Sequence, residues 1–60
     1  MIIRINRTEK QIILDFGSMQ EAYWYDELRY CDEEIDVYRQ GKCFMVIPYS
    51  YGVKIYEDVE

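Results

Sequence analysis

Asp32, Glu34 and Asp36 stand at alternate positions, the spacing of the first three carboxylates of a calcium loop. The likeness then fails. The sixth position of such a loop would be Val37, where a Gly must make the sharp turn, and the twelfth would be Cys43, where a bidentate Glu is needed. Paired carboxylates also serve glycosidases, but a chain of 60 residues is too small to enclose a sugar cleft. No histidine is present, which removes the commonest general base, metal ligand and nucleophile partner. Ser18, Ser50 and Thr8 are the hydroxyl candidates, and Ser18 has a capping use. Neither Cys31 nor Cys43 belongs to a C-x-x-C pair. Gly17, Gly41 and Gly52 form no phosphate-cradling loop. The expectation is a protein that is not an enzyme and takes no cofactor and no metal.

What remains is a binding surface. The stretch Tyr23 to Asp36, YWYDELRYCDEEID, holds half of the twelve acids and four of the ten aromatics. Trp24, Tyr25, Asp26, Glu27, Asp32, Glu33 and Glu34 are its candidate partner-binding residues. Tyr and Trp dominate interface hot spots, and clustered acids suit a basic surface. The plain alternative is a solvated acidic loop that keeps a small protein soluble.

Composition narrows the class of partner. The net charge is −5, from twelve acids against seven bases. Affinity for a phosphate backbone comes from Lys and Arg displacing counterions, so nucleic acid is not the expected partner. Arg4, Arg7 and Lys10 gather near the first predicted hairpin, where they read best as edge charge that discourages aggregation. Half of the residues are hydrophobic and 17% aromatic, too apolar for a disordered chain. Two cysteines are few for a secreted disulfide scaffold and fit free thiols in a reducing cytoplasm, one disulfide being the alternative. The opening MIIRINRTEK has no signal-peptide character. The longest apolar run, Cys43 to Ile47, falls far short of the roughly 20 residues a membrane span needs.

The elements that must position the candidates follow from periodicity. Residues 1–7 and 11–16 alternate as strands, with Ile3 and Ile5 on one face of the first and Ile12, Leu14 and Phe16 on one face of the second. Gly17 stops the second strand. Ser18 and Glu21 then spell an S-x-x-E capping box, which predicts a helix from about Met19 to about Cys31. No Gly, Pro or β-branched residue interrupts that segment. Its apolar residues nevertheless fall in two stripes on nearly opposite sides: Met19, Ala22, Tyr23 and Tyr30, against Trp24, Leu28 and Cys31. At the C-terminal end of such a helix the acids 32–34 oppose its dipole, with Arg29 offsetting part of the cost.

Three further strands are predicted. Ile35 and Val37 alternate with Asp36 and Tyr38, and a turn centred on Gly41-Lys42 or on Gln40-Gly41 leads into the run Lys42 to Ile47. Pro48 ends that run. Val53 and Ile55 then alternate with Lys54 and Tyr56. Among the tyrosines, Tyr23 and Tyr38 suit the core, while Tyr49 and Tyr51 suit an exposed turn.

Residues 1–60 thus predict a single small α+β domain in β-β-α-β-β-β order, an antiparallel sheet with one helix packed on one face. Because the run 43–47 is apolar on both faces, something must cover the rest of the sheet: a second copy, as a homodimer, is the expectation, and a sheet curled onto itself as a partial barrel is the alternative. The expected function is a non-enzymatic acidic interaction protein. Its size and acidity fit the general type of compact, phage-encoded inhibitor that blocks a host or defence protein, sometimes by imitating nucleic-acid charge. No motif ties the chain to such a protein. A structural or accessory subunit of a larger assembly is the alternative.

Overall fold

The computed structural model describes residues 1–50 and 52–58. It corrects the expected fold class. The described residues contain seven strands and no helix: β1 Ile2–Asn6, β2 Gln11–Asp15, β3 Gln20–Trp24, β4 Glu27–Tyr30, β5 Glu34–Arg39, β6 Lys42–Pro48 and β7 Lys54–Glu57. They form a four-stranded sheet in the order β3-β2-β1-β7 and a three-stranded sheet in the order β4-β5-β6. The α+β reading, with its helix at Met19 to Cys31, is therefore overturned by two strands.

The reason lies in side-chain period. Glu21 and Tyr23 face the core while Gln20, Ala22 and Trp24 face out, an alternation of two that a helix cannot satisfy. Aromatic residues at 23–25 also favour a pleated surface. Pairing with β2, Ile12 against Tyr23 and Leu14 against Glu21, supplies what an isolated helix would lack. The capping box is not formed. The carboxylate of Asp15 instead accepts the amide of Gly17 at 2.8 Å and the side-chain amide of Gln20 at 3.2 Å. The amide of Phe16 donates to the carbonyl of Met19 at 2.9 Å, which turns the chain back as a hairpin.

The chain then changes sheets at one peptide. The amide of Tyr25 donates to the Lys10 carbonyl of the first sheet at 3.0 Å, and the next amide, of Asp26, donates to the Tyr38 carbonyl of the second at 2.8 Å.

Elsewhere the alternation holds. Ile3, Ile5 and Ile12 from the first sheet meet Tyr25, Ile35, Val37 and Ile47 in one core, each at most 4% exposed. Leu14, Tyr23, Leu28, Phe44, Met45, Val53 and Ile55 pack around it. The turn before β6 is centred on Gln40-Gly41, both at positive φ (55° and 79°), which is the type I′ geometry of a two-residue hairpin. A bulge follows, in which Val37 faces Met45, Tyr38 faces Cys43 and Phe44 has no register partner. β7 lies parallel to β1, with Ile3 beside Ile55, so the sheet is not purely antiparallel.

One sheet covers the other. The requirement that motivated a second copy, cover for a two-sided apolar sheet, is thus met on the inner face within the chain. Val46 remains half exposed on the outer face. Among the described residues no helix is long and apolar enough to cross a membrane.

Candidate partner-binding surface

The predicted site residues are divided by the fold. Trp24 ends β3 on the outer face of the first sheet and is half exposed. Its neighbour Tyr25 is 4% exposed and belongs to the core, where its hydroxyl donates to the Asn6 carbonyl at 3.3 Å. Burial raises the Tyr25 phenol above its ordinary pKa. Asp26 sits at the sheet crossing. Its carboxylate accepts the Gln40 amide at 2.5 Å, and its carbonyl accepts the Lys10 ammonium at 3.0 Å. Asp26 therefore ties the crossing to the hairpin turn.

The remaining four acids gather on the second sheet. Glu27 opens β4 on the outward face. Asp32 and Glu33 occupy the tip of the β4–β5 hairpin, closed by the Cys31 amide donating to the Glu34 carbonyl at 2.8 Å. Glu34 opens β5 on the outward face. Register then adds neighbours. Glu27 lies opposite Tyr38, and Arg29 lies opposite Asp36, which in turn faces Val46. The outward face of the second sheet thus carries Glu27, Glu34 and Asp36 around Tyr38 and Val46, with Arg29 among them and two more acids at its end.

Asp36 is the member of this face that the candidate set omitted. Its signal in the sequence is the i, i+2 spacing from Glu34, which on a strand puts both carboxyls on one side. That proximity has an electrostatic effect. Hydrogen bonding to Asp36, then its charge, raises the Glu34 carboxyl above the usual range. One oxygen of Asp36, Oδ1, is buried without a hydrogen-bond partner. The Cys31 thiol donates to the other, Oδ2, at 3.8 Å. Burial, followed by the charges of Asp36 and Glu34, raises the Cys31 pKa and keeps the sulfur a thiol. Cys43 is also free and is exposed.

No group of three or more His, Cys, Asp or Glu side chains among the described residues is arranged to hold a metal ion. The spacing of Asp32, Glu34 and Asp36 is accounted for by a hairpin tip and one strand face.

The basic residues near the first hairpin do not form one patch. The Arg4 guanidinium lies 5.7 Å from the Tyr56 ring centroid on the outer face of the first sheet. Arg7 donates to the Tyr30 hydroxyl at 2.6 Å and to Glu57 at 2.8 Å. Lys10 is held at the sheet crossing. At the opposite seam Arg39 lies between two rings, 4.9 Å from Trp24 and 4.3 Å from Phe44. Each open seam of the sandwich is therefore spanned by an arginine and aromatic rings. Tyr23 and Tyr38 are half buried and Tyr49 is half exposed; Tyr51 lies outside the described residues.

No protein family, curated protein or solved structure matches this chain.

Proposed function

We propose that this chain is a small acidic protein that binds a basic protein partner through the outward face of its second sheet and catalyses no reaction. The observation that supports this most is the alternation of β4 and β5. It brings Glu27, Glu34 and Asp36 onto one face beside the hairpin-tip acids Asp32 and Glu33. Tyr38 and Val46 give that face an apolar centre with an acidic surround, the make-up of a contact surface with a polar rim. A compact inhibitor of a host or defence protein is the role that matches this make-up, with the acids standing where nucleic-acid phosphates would lie on the partner. Two free cysteines fit action in a reducing cytoplasm.

The test compares the native protein with a variant carrying Glu27→Gln, Asp32→Asn, Glu33→Gln, Glu34→Gln and Asp36→Asn. Both are immobilised and exposed to lysate of the cell in which the protein acts, and captured proteins are eluted with salt and identified by mass spectrometry. A basic protein held by the native form, released by salt and lost with the variant is the expected outcome. Equal capture by both forms, insensitive to salt, would sink the proposal.

A further inference from the structure

We draw no further inference here: the strongest candidate, the outer face of the first sheet with Ile13, Trp24 and Tyr56, is an unpartnered apolar face whose cations Arg4 and Lys54 share it with the carboxylate of Asp15, so its charge selects no occupant and nothing in the structure shows what covers it.

Discussion

Arg7 and Glu57, fifty positions apart in the chain, meet at 2.8 Å across one seam of the sandwich. The Tyr30 hydroxyl joins them, accepting from Arg7 at 2.6 Å and donating to Glu57 at 2.9 Å. The Arg7 guanidinium also lies 5.3 Å from the Tyr30 ring centroid. Arg7 and Glu57 join the first hairpin to β7 directly, and the one hydroxyl ties β4 to both. Tyr30→Phe keeps the ring and removes that hydroxyl. Because the group is about half exposed, the expected loss is below about 1 kcal/mol, measured by urea denaturation.

The same contact predicts an alkaline limit. Burial, then hydrogen bonding to Glu57, raises the Tyr30 phenol above its ordinary value of about 10. A raised folded value means the contribution is complete below about pH 10 and is lost as pH rises through the folded value. Native stability should therefore fall above about pH 10 more steeply than that of Tyr30→Phe. Parallel slopes for the two proteins would refute the assignment.

Glu34 works in the other range. Its carboxyl is raised first by the hydrogen bond to Asp36 and then by the charge of Asp36. The stabilising contribution is complete below the ordinary Glu value of about 4.3 and is lost as pH rises through the folded value. Glu34→Gln keeps a donor toward Asp36 at every pH. At pH 7 it should raise the melting temperature, and the gain should vanish on acidification toward about pH 4. A gain independent of pH would point to a cause other than this pair.

Gln40 occupies a left-handed conformation, φ 55°, in front of Gly41. Asn tolerates that region better than Gln, and Asn-Gly is a preferred type I′ pair. Gln40→Asn leaves its amide free to donate to Asp26, so it should stabilise the fold by about 0.5 kcal/mol in chemical denaturation.

Ile12 is fully buried between its neighbours Ile5 and Tyr23 in the first sheet. Truncating such a residue to Ala costs about 2–5 kcal/mol. A single core in a domain this small supplies rarely more than about 3–5 kcal/mol. Ile12→Ala should therefore populate the unfolded state substantially at 25 °C, seen as lost dispersion of amide signals.

Much of the strand pattern is legible in the chain. Ile3 and Ile5, Ile12 and Leu14, and Ile35 and Val37 announce their faces by simple alternation, and all six pack in or on the core. The segment 19–31 is different because its local signals conflict. Ser18 and Glu21 spell a cap, and no breaker follows. Yet apolar groups on two opposite sides of a helix are what alternation produces when it is projected at the wrong period. Pairing with β2 is non-local, and it outweighs the local capping signal. The candidate surface inherited the same ambiguity. A helix would present Tyr25 beside Trp24, whereas a strand sends one inward and the other outward. The acids 32–34 needed no helix dipole to explain them, since a hairpin tip and one strand face hold them in water.

The parallel pairing of β1 with β7 places Ile2 beside Lys54 and Ile5 beside Glu57. The three strands of the second sheet are joined by hairpins, so neighbours in space are neighbours in sequence. The first sheet is not complete until a loop of about fifty residues closes, and closure over such separation is slow compared with hairpin formation. β1, β2 and β3 are joined by hairpins in the same way, so most of both sheets can form from local contacts. Only the β7 edge, which adds Ile55 and Glu57 beside β1, must wait for the long closure.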